Sequence, residues 1–182
     1  MQLNSEIQRE ADLSIYSVNK LIAEARRIAA DYRRATGKTL SGVSSEIALH
    51  DACHHLDLEL EKEPVSGFDA VGHGKRDGQR VQIKARAIFD EKKGGQRIGQ
   101  LKLDKEWDLL VLVLLNEDFE SFEIYEADRQ SIEEALNENS SSSARSKRGA
   151  MSVARFRNIG HLVWTPEEGE VEDDEVWENR GG

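Results

Sequence analysis

The chain has 182 residues, of which 33% are charged and 38% hydrophobic, and its net charge is −10. This length suffices for one domain with an ordinary core, and the periodic apolar blocks favour a folded chain over disorder. No apolar run approaches the roughly 18 residues that a membrane span needs, and the polar residues 2–12 are unlike a secretory signal. Cys53 is the single cysteine, so an intrachain disulfide is excluded and a cytoplasmic protein is expected.

The negative charge is concentrated at the C-terminal end of the chain. Residues 167–182 contain eight acids and one base, a charge of −7, which leaves −3 for residues 1–166. Such an acidic block is usually solvated and disordered. A body near neutrality can still carry a basic groove, so the overall charge does not exclude a nucleic-acid-binding protein.

Two helices are predicted before the first strand. Alternating spacings of three and four predict a helix over residues 12–35 that begins at Asp12 and stops at Gly37. Its apolar stripe consists of Ile15, Val18, Ile22, Ala25, Ala29 and Tyr32. Packing of this stripe on the domain is favoured over the alternative, a coiled-coil homodimer. A second helix is predicted over residues 42–61, with an apolar stripe that ends at Leu60.

Strands are predicted in the middle of the chain. In chain order they span residues 67–73, 79–86, 108–115 and 120–125, and the unbroken apolar run of the third favours the centre of a sheet. The polar and basic residues 87–106 are predicted to form a loop. The remaining elements are a helix over residues 126–136, a serine-rich linker near 139–146, and a closing helix and strand within 149–165.

These elements define three parts of the chain. The predicted parts are an N-terminal helix in residues 1–38, a domain over residues 39–166 with its core in 41–136, and an acidic, disordered tail over residues 167–182.

Three polar side chains are expected to meet on two adjacent strands. Side chains alternate between the faces of a strand, so Gln82 and Lys84 share one face if Val81 and Ile83 point into the core. The turn between the strands brings Asp69 opposite them. An acid, an amide and a lysine in this arrangement predict a metal-and-lysine site that hydrolyses phosphodiesters.

Glu46, on the second predicted helix, is the candidate for a second acid. It precedes Leu49 by three residues and Cys53 by seven, which extends the apolar stripe toward the core. A carboxylate there is unfavourable without a partner, and this favours a role in the site. The alternative is that Glu46 complements the dipole of its helix.

The element order and these residues resemble the PD-(D/E)XK phosphodiesterase superfamily. Its signature is an acid at the start of one strand and acid-x-lysine on the next, matched here by Asp69 and by residues 82–84 as a QxK variant. Glu46 matches the glutamate that many members add from the preceding helix. The resemblance covers residues 41–136 and implies an α/β fold, a restriction-endonuclease-like mixed β-sheet flanked by helices, here with an extra N-terminal helix.

The resemblance implies a metal-dependent DNA endonuclease in which a metal-activated water hydrolyses the phosphodiester bond and a 3′-hydroxyl group leaves. Mg²⁺, or Mn²⁺, would be bound by Asp69 as the main ligand and Glu46 as the second. Gln82 Oε1 and the Ile83 carbonyl would complete the protein ligands, and Lys84 would orient or help to deprotonate the water. DNA is the expected substrate, with RNA left open.

Gln82 motivates an alternative function. It replaces the usual acid, and a neutral amide oxygen is a poorer ligand for a hard cation than a carboxylate. The alternative is a catalytically silent nuclease fold that binds nucleic acid or another protein. A further alternative is that the acidic tail covers a basic surface, its own or a partner's.

Basic residues on the predicted loops are the candidate contacts to nucleic-acid phosphates. They form two groups, one before the central strand and one after the serine linker: Lys92, Lys93, Arg97, Lys102 and Lys105, then Arg145, Lys147 and Arg148. The alternative for each of them is a solvated surface charge.

Overall fold

The computed structural model describes residues 17–63, 67–90, 92–138 and 151–171. Its elements, in chain order, are α1 (Val18–Thr36), α2 (Val43–His55), β1 (Leu58–Leu60), β2 (Ala70–Gly72), β3 (Arg80–Ala87), β4 (Leu109–Leu115), β5 (Ser121–Asp128), α3 (Arg129–Glu138), α4 (Val153–Ile159), β6 (His161–Thr165) and β7 (Gly169–Glu170). The chain is therefore a mixed α/β protein, as predicted. Among the described residues, no helix is long and apolar enough to cross a membrane.

The strands form one curled sheet in which each strand pairs with its neighbours in sequence. All pairs are antiparallel except β3 and β4, which are parallel from Val81↔Leu109 to Ala87↔Leu115. Parallel neighbours require a crossover, which residues 88–108 supply. Strand β4 is buried at every position, as its apolar run predicts for a central strand.

An apolar layer covers each face of the sheet, and alternate residues of β4 divide between the two layers. The first layer, which we call the α2 face, includes α1 and α2 and takes Leu109, Val111, Val113 and Leu115. The second, the α3 face, includes α3, α4 and part of the crossover and takes Leu110, Leu112 and Leu114. Polar residues of β3 that alternate with Val81 and Ile83 therefore belong to the α3 face.

Arg76 and His55 join the last three strands of the sheet to the turn after β2 and to the end of α2. Arg76, in the 3₁₀ turn between β2 and β3, donates from Nε to Glu126 of β5 at 2.6 Å and from Nη1 to Glu170 of β7 at 2.9 Å. His55, the last residue of α2, stacks on Trp164 of β6 with ring centroids 4.0 Å apart. These contacts bring β5, β6 and β7 close to the helix that flanks β3.

Helix α2 is shorter than predicted, and the expected helix over residues 42–61 is wrong at its C-terminal end. The helix ends at His55, and Asp57 has a left-handed backbone with φ of 53°, which a right-handed helix does not accommodate. The chain then continues as β1, and Leu60 is 45% exposed. The four-residue spacing of Leu56 and Leu60 imitates a helix, although Leu56 follows the last residue of α2 and Leu60 belongs to β1.

Helix α1 packs on the domain through one face only. Ile22 and Ala29 of the predicted stripe contact the core, as the packing interpretation expects. Two other stripe residues, Val18 and Tyr32, are exposed, so the prediction is wrong for them. With Leu21 and Ile28 they are the large apolar residues that α1 exposes. Gly37 ends the helix as predicted, with φ of 69°, whereas the proposed cap Asp12 and stripe residue Ile15 lie outside the described residues.

A buried ion pair anchors α1 to α2. Arg26 donates to the Asp51 carboxylate and to the Phe119 carbonyl, and Asp51 also accepts a hydrogen bond from the Ser121 hydroxyl. Asp51 is only 4% exposed. Burial alone raises the pKa of Asp51, but the hydrogen bonds from Arg26 and Ser121 outweigh burial, so its pKa is lowered. The network joins α1, α2 and β5.

The closing elements agree with the sequence except at two boundaries. The closing helix and strand lie within 149–165 as predicted: Ser152 caps α4, and Gly160 separates α4 from β6. Strand β5 continues to Asp128, so α3 starts three residues later than the predicted helix over 126–136. Strand β7 lies within residues 167–182, which were predicted to be a disordered tail. The ion pair between Glu170 and Arg76 helps to hold this strand on the sheet. The linker near 139–146 and residues 172–182 lie outside the described part of the chain.

We expect Asp51→Asn to lower the free energy of unfolding by about 3 kcal/mol, because Arg26 would stay buried without its charge partner. Asp31→Asn is the control, since Asp31 pairs with Arg34 on the exposed side of α1 and its loss should lower that free energy by less than about 1 kcal/mol. Urea denaturation at pH 7 measures both variants.

The same pair has a defined pH dependence. The pKa of Asp51 in the folded protein lies below its ordinary value of 3.8. The contribution of ionised Asp51 to the free energy of unfolding should therefore be fully present well above pH 3.8 and be lost as the pH falls through the folded pKa. Equal destabilisation by both substitutions at pH 7 would contradict this account of the network.

Candidate metal and lysine site

Asp69 lies where β2 stops pairing with β3. Its backbone N–H donates to Val81 O at 2.8 Å, and its Oδ2 accepts a hydrogen bond from Ile83 N–H at 2.7 Å. The carboxylate thus takes the place of a backbone acceptor, since the ladder between β2 and β3 contains only two residue pairs. Past this point, β3 has no strand partner on the β2 side among the described residues.

Two oxygen atoms at this open edge suit a hard cation. The N–H and C=O of one strand residue point to the same neighbour, so the Ile83 carbonyl lies on the side of β3 that Asp69 occupies. Asp69 Oδ1 accepts no hydrogen bond from the described residues. Carboxylate and carbonyl oxygens are ligands that Mg²⁺ accepts, and one or two carboxylates suffice. Asp69 and Ile83 therefore fit the predicted metal ion.

Lys84 is half-buried beside Asp69. Burial lowers the pKa of Lys84, the nearby Asp69 carboxylate opposes this effect, and the ammonium of Lys102 lowers the pKa further. Lys84 therefore lies within electrostatic reach of both other groups, and its proximity to Asp69 is what the alternation along β3 predicts. A lysine with a lowered pKa is more readily deprotonated near neutral pH, which suits a group that orients or activates water.

Gln82 holds the crossover against the sheet. It is 1% exposed, its Nε2 donates to Lys102 O at 3.5 Å, and its Oε1 accepts from Lys102 N at 3.4 Å. Trp107 Nε1 donates to the same carbonyl at 2.9 Å. The amide therefore fixes the backbone of Lys102, a positioning role that the sequence does not reveal. A role for Gln82 as a metal ligand stays a prediction.

The expectation that Glu46 points toward the core is wrong. The inward face of α2 is formed by Ile47, Ala48, Asp51 and Ala52, and Glu46 in the first turn is exposed. A carboxylate at this position also complements the helix dipole. The error arose because Leu49 and Cys53, which lie in line with Glu46 along the helix, are only partly buried. They mark the margin of the inward face.

Glu46 nevertheless lies on the side of α2 that approaches the site. Burial, and secondly the nearby Asp69 carboxylate, raise the pKa of the Cys53 thiol to about 11, so Cys53 is a neighbour of Asp69. Glu46 lies seven residues earlier on the same side of the helix. Its role as a second ligand stays a prediction. The described residues contain no group of three or more His, Cys, Asp or Glu able to hold a metal ion.

The structure describes five of the eight basic residues that were predicted to contact phosphates. Five of them are exposed: Lys92, Lys93, Arg97, Lys102 and Lys105. The other three, Arg145, Lys147 and Arg148, lie outside the described residues. Sequence reasoning missed Arg86, although it follows Lys84 by two positions and continues the same face of β3.

Comparisons with known proteins supply no family for this chain. No protein-family model matches it, and no curated protein was found to be similar. A functional assignment therefore depends on the residues and geometry of the site.

The site predicts opposite changes in the pKa of Lys84 for two substitutions. Asp69→Asn should lower that pKa further by removing a carboxylate that stabilises the ammonium, whereas Lys102→Gln should raise it by removing a like charge. Titration of the lysine ¹³Cε signals by NMR measures both. An unchanged Lys84 pKa in both variants would show that the three groups are not neighbours in solution.

Proposed function

We propose that the protein is a cytoplasmic, metal-dependent DNA endonuclease with a restriction-endonuclease-like fold. The proposal is carried by one observation: a carboxylate, a backbone carbonyl and a lysine of lowered pKa meet at the open edge of β3. The resemblance of Asp69 and residues 82–84 to the QxK variant supports the same chemistry. RNA is the alternative substrate.

The protein groups have distinct roles in the proposed reaction. Mg²⁺ or Mn²⁺, when bound, would polarise the phosphate and lower the pKa of a bound water. Asp69 Oδ1 and the Ile83 carbonyl would hold the ion, and Glu46 would add the second negative charge. Lys84 orients the attacking water and, when neutral, can take up its proton. Lys102 offsets the charge of the phosphate.

A catalytically silent binding protein is the second candidate function. Two observations favour it: the amide of Gln82 is already bonded to the Lys102 backbone, and Glu46 is exposed rather than directed into the core. Asp69 would then be the single carboxylate at the open edge of β3. Such a protein would bind nucleic acid and neither take up metal nor cut.

Cleavage of supercoiled and linear DNA with Mg²⁺, then Mn²⁺, tests the nuclease. Wild type should cut, and Lys84→Ala and Asp69→Ala should each reduce the rate by at least about 100-fold, because each removes a group from the chemical step. Lys38→Ala, a substitution of an exposed lysine, is the matched control and should cut like wild type. Persistent cutting by both site variants would refute the proposal.

Metal binding separates the two candidates if wild type does not cut. Mn²⁺ can be titrated calorimetrically into Lys84→Ala saturated with an oligonucleotide. If metal is taken up and Asp69→Ala abolishes this uptake, the result would support the nuclease site. No metal uptake would support the catalytically silent binding protein.

A homodimer through the N-terminal helix stays a prediction. The exposed apolar residues of α1 define the surface through which it would form. Val18, Leu21, Ile28 and Tyr32 are exposed on one side of α1, and with Ala25 they recur at spacings of three, four, three and four, which suits a second helix of the same kind. Since α1 has only 19 described helical residues, the contact would fall below about 1,200 Å² and dissociate on dilution.

Sedimentation equilibrium over a range of protein concentrations tests the dimer. Wild type should be monomeric at low and dimeric at high concentration, and Leu21→Glu should stay monomeric throughout. Ala23→Glu, a substitution on the same helix outside the exposed stripe, should behave like wild type. A wild-type protein that is monomeric at every concentration would refute the dimer.

A further inference from the structure

A basic cleft opens where β3 ends, beside the candidate site. It has a volume of about 730 Å³. Of the described residues, one acid, Asp90, and four cationic side chains line it: Arg33, Arg86, Lys93 and Arg97. In a chain with a net charge of −10, this local excess of positive charge indicates a place that attracts anions.

Arg86 connects the cleft to the candidate site. It follows Lys84 by two residues on β3, so the two side chains leave the same face of the sheet roughly 6.6 Å apart along the strand. Arg86 Nη2 donates to the Arg97 carbonyl, which positions the guanidinium beside the crossover. Its buried Nε has no hydrogen-bond partner among the described residues. Within the described part of the chain, Arg86 thus retains one donor without an acceptor.

Arg33 brings α1 into the cleft. Its guanidinium lies 3.6 Å from the centroid of the Phe89 ring, and Phe89 packs edge-on against the buried Phe119 at 5.9 Å. A guanidinium above an aromatic face keeps the N–H groups at its edge available for an oxyanion. The adjacent Arg34 is instead paired with Asp31 and Asp118, so the two neighbouring arginines of α1 have different environments.

We propose that this cleft binds a phosphate of the substrate strand next to the phosphate that lies at Asp69 and Lys84. The inference rests on the proposed nuclease function and makes α1 part of the substrate-binding surface. Arg33 and Arg86 present planar donors that match phosphate oxygens. The position of Arg86 on the same face of β3 as Lys84 favours one continuous strand over an unrelated small anion.

Fluorescence anisotropy with labelled single-stranded and duplex oligonucleotides in EDTA tests binding without cleavage. Arg33→Gln and Arg86→Gln should each weaken binding roughly tenfold and reduce the slope of log K against log[salt] by about one. Arg34→Gln is the matched control, because it removes the same charge from the neighbouring residue of α1. It should retain the wild-type slope, and all variants should keep the wild-type far-UV circular dichroism.

Several results would overturn the inference. Equal losses of oligonucleotide affinity in Arg33→Gln and Arg34→Gln would indicate a general charge effect. If wild type does not bind the oligonucleotides at all, the substrate strand is not the ligand of the cleft. If inorganic phosphate raises the melting temperature of wild type but not of Arg33→Gln or Arg86→Gln, while oligonucleotide binding is unchanged in both, the cleft holds free phosphate instead.

The binding assay is independent of the nuclease. A wild type that binds through Arg33 and Arg86 but never cuts would support the cleft and favour the catalytically silent binding protein over the endonuclease. A wild type that cuts, with unchanged binding in both arginine variants, would refute the cleft and leave the endonuclease in place.

Discussion

The parallel pairing of β3 with β4 is the constraint on which the rest of the arrangement depends. The other strand pairs of the sheet are antiparallel, so this one pair obliges the chain to return along the sheet before β4 begins. The returning residues 88–108 are anchored in the α3 face by Ile98, Leu101 and Trp107. Because the crossover passes over the polar face of β3, it brings Lys102 to Gln82 and Arg97 to Arg86. One topological requirement thus supplies both the second lysine and a wall of the cleft.

Asp69 shows how a sheet can keep a polar site at its centre. A strand edge that is neither paired nor covered exposes backbone groups, and the Ile83 N–H would be one of them. The Asp69 carboxylate satisfies this N–H with Oδ2, which ends the ladder without leaving a buried donor unpaired. One carboxylate therefore serves stability through one oxygen and leaves the other for a ligand.

Local patterns predicted those parts of the protein that local geometry determines. The buried run of β4, the stop of α1 at Gly37, and the shared face of Gln82 and Lys84 all follow from propensity or from the two-residue period of a strand. Asp69 was predictable because a short turn limits where the preceding strand can lie. These features involve residues close in sequence or a single periodic pattern.

The remaining features depend on contacts that sequence spacing does not encode. The engagement of Gln82 depends on a crossover twenty residues away. Arg33 reaches the cleft because α1 packs through Arg26, Ile22 and Ala29, so that only part of its heptad-like stripe faces the core. Helix α2 ended early because Asp57 adopts a left-handed backbone, which the periodicity of the flanking leucines conceals. Glu46 was misjudged because a stripe of partly buried residues marks the margin of a helix face as readily as its centre.

The charges at the open edge of β3 impose an order on the proposed reaction. Lys84 lies within electrostatic reach of both Asp69 and Lys102, so without substrate two ammonium groups outnumber the Asp69 carboxylate and oppose a divalent cation. A phosphate of the substrate reverses this balance, and Mg²⁺ commonly completes its coordination with substrate phosphates. Metal and strand should then raise each other's affinity by the same factor, as linkage requires. If the cleft at Arg33 and Arg86 holds the strand without metal, as proposed, nucleic acid would bind first and the metal would enter a site that the substrate has completed.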